Sequence, residues 1–439
     1  MDEYPEYPLT PEEERALEDE HFLQPSCNLH ERTVSTALLT STASFIEPPS
    51  IGSPPTSTFE LPRSPESAAA LEFIGFTPAV AVDIYNRCFA QSPQDRDMNT
   101  FDRMYRGPVS YLNALPRDMA PTETMQIIGL KPEVIEALND PEFADVRGTQ
   151  SLHYWVRDTL DISYAALIDL TRRLKHVATL ALVRKWSRDL QTEIVLESGS
   201  FATGQGPRTG TPTATISLPS DVEGLPANAV TVQAAGPELP DHDILWMGRA
   251  AGHVKKRPFI AEDGSVLMRA LCNDPHNDFN TGSVALYLSP ERSTAERYRL
   301  WAASRCPYSE TWAIRIQIPR TFTQGLRQEH IWYSAEWKEY VWYCHTGGWG
   351  SGSEVRSRFA KFEAAELLVG HVGRPGGSFA HVKRLEDVQS QITHDHLLDP
   401  SSRATQWVFK HEAAERLAML LRGQGKIHID IFPPRVLAS

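Results

Sequence analysis

The 439-residue chain has only five cysteines, Cys27, Cys88, Cys272, Cys306 and Cys344, and none belongs to a C-x-x-C pair. Such wide spacing excludes a disulfide framework or a cysteine-bound zinc and fits reduced thiols in an intracellular protein, cytoplasmic or nuclear. No window approaches ~18 consecutive apolar residues, so no segment reads as membrane-spanning. The opening residues MDEYPEYPLTPEEE lack the basic and apolar regions of a secretory signal. Clustered Lys and Arg are scarce as well. The net charge is −13, and residues 1–67 carry thirteen Asp or Glu against three Arg. The remainder is therefore close to neutral and offers no electrostatic footprint for nucleic acid. The sequence has no G-x-S-x-G, H-E-x-x-H or G-x-x-x-x-G-K, which removes the common hydrolase and P-loop chemistries. His394 and His396 stand two apart without a third ligand, so no metal is expected.

What is present divides the chain into four parts. Residues 1–67 hold ten prolines with much Ser and Thr, too little clustered apolar surface to offset ordering entropy, and they read as a disordered acidic tail able to bind a basic partner. Within it, Thr10-Pro11-Glu12-Glu13 opens a short helix to about His21. Residues 68–196 read as an all-helical domain. FIGFTPAVAVDIYN (73–86) and IIGLKPEVIEALND (127–140) resemble one another, each an apolar pair, a Gly and a Pro-started amphipathic run, hence helix, tight turn, helix. A longer helix is expected from Ser163 to about Asp189, with Leu167, Leu170, Leu174, Val177 and Ala181 on one stripe. Its other face, with Arg172, Arg173, Lys175, Arg184, Lys185 and Arg188, is either solvated or a dock for the acidic tail or another acidic partner. Residues 197–240, rich in Gly, Pro, Ser and Thr, read as a flexible linker.

Residues 241–439 carry shorter, β-branched runs, giving an α+β protein overall. ILWMGRA (244–250) reads as a strand. Val284 to Ser289 is a second, followed by a helix with Ser289 as N-cap and Pro290 at N1, packed through Ala295, Tyr298, Trp301 and Ala302. In TWAIRIQIP (311–319), Trp312, Ile314, Ile316 and Ile318 face inward and Arg315 and Gln317 outward. IWYSAEWKEYVWYCH (331–345) holds six Trp or Tyr. Ser334 caps a helix there whose stripe of Trp337, Tyr340, Val341 and Cys344 is core, while Glu336 and Glu339 share a second stripe as candidate carboxylates. Strands are also expected in AELLVGHVGRP (365–375), at the start of ATQWVFKHEAAERLAML (404–420), and in KIHIDIF (426–432).

The order of these pieces resembles the ADP-ribosyltransferase-like fold, in particular a group with a His-Tyr-Glu/Gln arrangement, related to poly-ADP-ribose polymerases and diphtheria-type toxins. The resemblance covers about residues 243–421. It rests on Trp246-Met247-Gly248-Arg249, on Asp278-Phe279-Asn280-Thr281-Gly282 with Leu286-Tyr287-Leu288-Ser289, on Ala295 and Trp301-Ala302, on WKEYV and LLVGHV, and on Gln406-Trp407-Val408-Phe409. It implies a C-terminal domain of two small packed β-sheets with flanking helices and NAD, as substrate, in the cleft between them. Carried over by position, Tyr287 stacks on nicotinamide and Gln406 is the third residue of the arrangement. Trp246, Gly248, Arg249 and Ser289 fall in the cofactor-binding segments. Two positions depart from the pattern: Met247 cannot donate a hydrogen bond where the group has His, leaving Arg249 as the nearest polar substitute, and Gln406 carries no charge. Both changes imply lost or altered transferase activity, with Glu336 or Glu339 as the source of a carboxylate. The expected function is therefore binding of NAD or a related nucleotide, with transfer of ADP-ribose to a protein or small-molecule acceptor. The alternative is a non-enzymatic protein-interaction module on a degenerate copy of the fold.

Overall fold

A computed structural model describes residues 8–26, 28–39, 57–90, 107–115, 119–197, 230–231, 238–252, 266–273, 277–346, 353–375, 382–399, 401, 404–422 and 426–437. The chain is mixed α and β. The first helix, α1 (Pro11–Asp19), begins as its sequence dictates: the Thr10 hydroxyl accepts from the Glu13 amide while the Glu13 carboxylate accepts from the Thr10 amide at 2.7 Å, a reciprocal capping box. Strands β1 (Leu23–Gln24), β2 (Glu31–Ser35) and β3 (Thr58–Pro62) form an antiparallel sheet. This corrects the expectation of a disordered tail for these segments. Leu17, Val34 and Leu61 are buried with Leu167, Leu170 and Leu174 of the long helix, so the apolar surface that the tail cannot bury on itself is buried on another element. Residues 1–7, 27 and 40–56 lie outside the described residues.

The two similar units of the helical region form helix pairs, α2 (Ala68–Ile74) with α3 (Pro78–Ala90) and α4 (Pro121–Ile127) with α5 (Pro132–Asn139). Their turns exchange backbone bonds: Thr77 N donates to Gly129 O and Lys131 N to Gly75 O, each at 2.8 Å. Gly75 and Gly129 have φ of 132° and 80°, a region that L side chains rarely adopt, which accounts for the matching Gly in both sequences. Helix α6 (Leu152–Glu197) runs 46 residues. It starts eleven residues before the expected Ser163, because Ser151 and the Leu152–Tyr154 turn extend it toward the C-terminal region. Its basic face is a dock for the N-terminal segment: Lys175 pairs with Glu13 at 2.7 Å, Lys185 with Asp19 at 3.6 Å and Arg184 with Glu20 at 3.7 Å. Of the expected linker, only Glu197, Val230–Thr231 (β4) and residues 238–240 are described.

The remaining strands are β5 (His242–Ala250), β6 (Ala285–Leu288), β7 (Thr311–Pro319), β8 (Gln328–Ile331), β9 (Leu367–His371), β10 (Thr405–Lys410) and β11 (Ile427–Phe432). They make two four-stranded sheets in the orders β4-β11-β7-β5 and β6-β10-β9-β8, with only β8 and β9 parallel. Leu245, Ile314 and Ile316 of one sheet share a core with Leu286, Val369 and Phe409 of the other. Helices α7 (Arg292–Arg305), α8 (Ala335–His345) and α9 (His411–Leu421) flank them. In α8, Trp337, Tyr340, Val341 and Cys344 are fully buried, as their spacing requires.

Two local expectations differ. Glu291, not Ser289, precedes the first residue of α7. Ser289 instead stays in the strand corner, where its amide donates to Trp246 O at 2.9 Å and the Trp246 amide donates back to Ser289 O at 2.7 Å. Arg315 and Gln317 are buried rather than exposed. The Gln317 side-chain oxygen accepts from the Leu239 amide at 2.8 Å, and the Arg315 guanidinium lies 6.0 Å from the Trp246 ring centre.

Candidate functional site

A cavity of about 770 Å³ opens where the β5–β6 corner meets α7 and the start of α6. Its strand wall carries Trp246, Met247, Gly248, Arg249, Tyr287, Ser289 and Gln406, together with Asp278 and His345. Its helix wall carries His153, Tyr154, Trp155, Arg157, Asp158 and Asp161 from α6, and Tyr298, Trp301 and Arg305 from α7. Thus Trp246, Gly248, Arg249, Tyr287, Ser289 and Gln406, all expected at the site, meet in one hollow. Glu336 is not among the lining residues: it lies near the exposed start of α8, paired with Lys361 at 2.8 Å. Glu339 is buried away from the cavity, accepting from Gln389 at 2.8 Å and pairing with Arg358. Both stand in the first half of α8, whereas the cavity is reached at its C-terminal end, by His345.

The strand-wall residues have different duties. Gly248 makes close packing possible: a Cβ there would stand 1.9 Å from the Ala295 carbonyl oxygen, so only glycine lets α7 lie this near β5. Met247 is buried in the core between the sheets while reaching the cavity edge. The Trp246 ring is approached by two guanidinium groups, those of Arg292 at 5.1 Å and Arg315 at 6.0 Å. The Ser289 hydroxyl lies 2.7 Å from Glu291 Oε2 and 2.9 Å from Thr405 O, which ties β6 to β10. Arg249 contacts only neutral oxygens among the described residues, those of Asn273 and of the Ala270 carbonyl.

Tyr287 is half-buried at the cavity wall. Its hydroxyl lies near the Phe279 backbone yet has no hydrogen-bond partner among the described residues. Burial, reinforced by the Asp278 carboxylate, holds its phenol well above the ordinary range, so it stays protonated. Tyr298 is raised for the same first reason, with the Thr149 side chain opposing it. On the helix wall, burial and Arg157 lower His153, which favours its neutral form. Cys272 is pushed up to about 11 by burial, so the cavity offers no thiolate nucleophile there at neutral pH.

Asp278 is the carboxylate that reading the sequence passed over, although it opens the Asp278-Phe279 segment on which the resemblance rests. Gln406 Nε2 donates to its Oδ2 at 2.8 Å, the Gly373 amide donates to the same oxygen, and His345 Nε2 lies 2.8 Å from Oδ1. Gln406 Nε2 also reaches His371 O at 3.3 Å, so the amide is held in one orientation. The α6 part of the helix wall has no signal in the sequence because residues 153–161 lie 85 or more positions before the strand wall, and only the fold brings them here. Among the described residues no group of three or more His, Cys, Asp or Glu gathers as metal ligands, and no described helix is long and apolar enough to cross a membrane. Comparison of the chain with protein-family models, with curated proteins and with solved structures gives no match in any of the three.

Proposed function

We propose that the chain is an ADP-ribosyltransferase-like protein that binds NAD or a related nucleotide in the cavity between the strand corner and helices α6 and α7. The observation that carries this reading is the convergence of Arg249, Tyr287 and Gln406, from three strands far apart in sequence, on one hollow of about 770 Å³. That volume falls in the range of ligand sites, roughly 300–1,000 Å³. Arg249, with neutral partners only among the described residues, is suited to a phosphate group. The Tyr287 ring offers a flat surface for an aromatic base or nicotinamide. Bond cleavage at nicotinamide would pass through an oxocarbenium-like state, which an adjacent fixed carboxylate favours. A protein or small molecule then accepts the ADP-ribose.

A second reading, a non-enzymatic interaction module, draws on Met247, which belongs to the inter-sheet core, and on Gln406, whose amide is already bound to Asp278 and His371. Calorimetry with NAD, followed by an assay for release of nicotinamide, separates the two. Heat of binding and nicotinamide release support the transferase reading. Binding without release favours the module, and silence in both at millimolar NAD ends the nucleotide reading.

A further inference from the structure

We propose that Asp278 is the catalytic carboxylate of this cavity, supplying from the loop before β6 the negative charge that the strand position Gln406 lacks. The proposal rests on the NAD reading above and adds to it a residue, a charge and a step. Among the described residues, no other carboxylate of the cavity is placed as Asp278 is. Asp158 is bound by Arg305 at 2.6 Å, and Asp161 lies 3.7 Å from Arg157, so both charges are matched by a guanidinium. Asp278 meets an amide, a backbone N–H and an imidazole, a set that fixes its two oxygens by hydrogen bonds, with no Lys or Arg paired to it among the described residues. An ionised carboxylate only accepts hydrogen bonds, so His345 donates through Nε2 and is the positioning residue on Oδ1.

The neighbours suit this role. Asp278 and Tyr287 line the same cavity, and the carboxylate is close enough to help raise the Tyr287 phenol. A nicotinamide stacked on that ring brings its ribose C1′ toward Asp278. The C1′–N bond then breaks, its electron pair leaves with the nicotinamide nitrogen, and the ring nitrogen becomes neutral. Positive charge grows on C1′ and its ring oxygen beside the Asp278 carboxylate. Water or an acceptor hydroxyl closes the bond to C1′ and gives its proton to solvent, so NAD and water yield ADP-ribose, nicotinamide and one proton. Gln406 holds Asp278 rather than replacing it, and for this reason an amide at the third position is compatible with the chemistry.

The test uses the full chain with NAD as ligand and compares wild type, Asp278→Asn, Gln406→Glu and the exchange Asp278→Asn/Gln406→Glu. Circular dichroism verifies folding, calorimetry reads binding and nicotinamide release reads chemistry. Asp278→Asn should lower nicotinamide release roughly 100-fold or more, the scale of losing one preorganised electrostatic group, while NAD affinity changes less than about threefold. Gln406→Glu sets a second carboxylate against Asp278 Oδ2 and should lower release too, since like charges this close do not both ionise. The exchange keeps one carboxylate and one amide in contact and should recover at least about tenfold over Asp278→Asn. It leaves the Gly373 amide and His371 O unmatched, so it is read only where circular dichroism shows a native fold. Where Asp278→Asn folds poorly, Asp278→Glu, which keeps the charge, should retain release, and its loss in a folded variant overturns the assignment. Release by Asp278→Asn at the wild-type rate, or a gain with Gln406→Glu alone, overturns the assignment while leaving the NAD reading intact. Binding by wild type without any release overturns it as well. Absence of NAD binding to wild type removes the underlying reading, and the assignment with it.

Discussion

The two walls of the cavity handle charge in opposite ways. On the helix wall, Asp158 is joined to Arg305, Asp161 to Arg157, and the Arg305 guanidinium faces the rings of both Trp155 and Trp301, 4.7 and 4.9 Å from their centres. On the strand wall, Arg249 touches neutral oxygens, Asp278 is held by an amide, an N–H and an imidazole, and the Tyr287 hydroxyl has no partner among the described residues. Trp301 Nε1 and Arg305 Nε have no hydrogen-bond partner among the described residues, yet the charges of the helix wall are matched, whereas charges left without a matching charge in a cavity are available to a ligand. The helix wall therefore closes and shapes the space, and the strand wall supplies its chemistry.

The largest expected effect is on the closing wall. Arg305→Ala leaves Asp158 without its cation at a site where the two side chains are 2% and 12% exposed, and unfolding in denaturant should show a loss of about 3–5 kcal/mol. A loss under about 1 kcal/mol would mean that this pair does not hold the helix wall. Next in size, Arg249→Ala should weaken NAD binding at least tenfold, since a charge-assisted hydrogen bond is worth about 1.5–3 kcal/mol. Arg157→Ala should change binding less than about twofold. Equal effects of the two changes, read by calorimetry, would erase the distinction between the walls.

Alkaline pH probes the strand wall through Tyr287. Its folded pKa is raised, first by burial and then by Asp278, so the folded state keeps its proton while the unfolded chain gives it up near pH ~10. Stability from this group is intact below that pH and falls as pH rises above it. Tyr287→Phe should make alkaline melting less steep, and no change in slope would contradict the assignment. The smallest effect belongs to the docked N-terminal segment. Lys175→Ala should cost under about 1 kcal/mol and matter less as salt is added, because the pair with Glu13 is partly exposed.

How much of this could be read in the residues depended on whether the signal was local. The stripe of α8, the Pro-started helix pairs and the Thr10 capping box are local patterns, and each appears where its period or cap requires. Trp246, Arg249, Tyr287 and Gln406 were legible as site candidates because an ordered set of segments pointed to them, and they line one cavity. Three features were not legible. The N-terminal segment was misjudged because its apolar side chains are buried on α6, a partner more than a hundred residues away. Arg315 and Gln317 alternate like exposed residues, yet each has a specific buried neighbour that no period encodes. Glu336 is near in fold order only, whereas Asp278, one of the carboxylates that line the cavity, is placed by a loop and by contacts from β10, α8 and the segment after β9.

On the NAD reading, the Tyr287 ring is the floor of a nucleotide site whose wall also carries the Arg249 guanidinium and the Asp278 carboxylate. A crystal structure of the full chain grown with NAD tests it directly. The expected density places nicotinamide against Tyr287, diphosphate oxygens at Arg249 and the nicotinamide ribose beside Asp278. Nucleotide bound elsewhere on the molecule, or a cavity that stays free of it at saturating NAD, would contradict that claim.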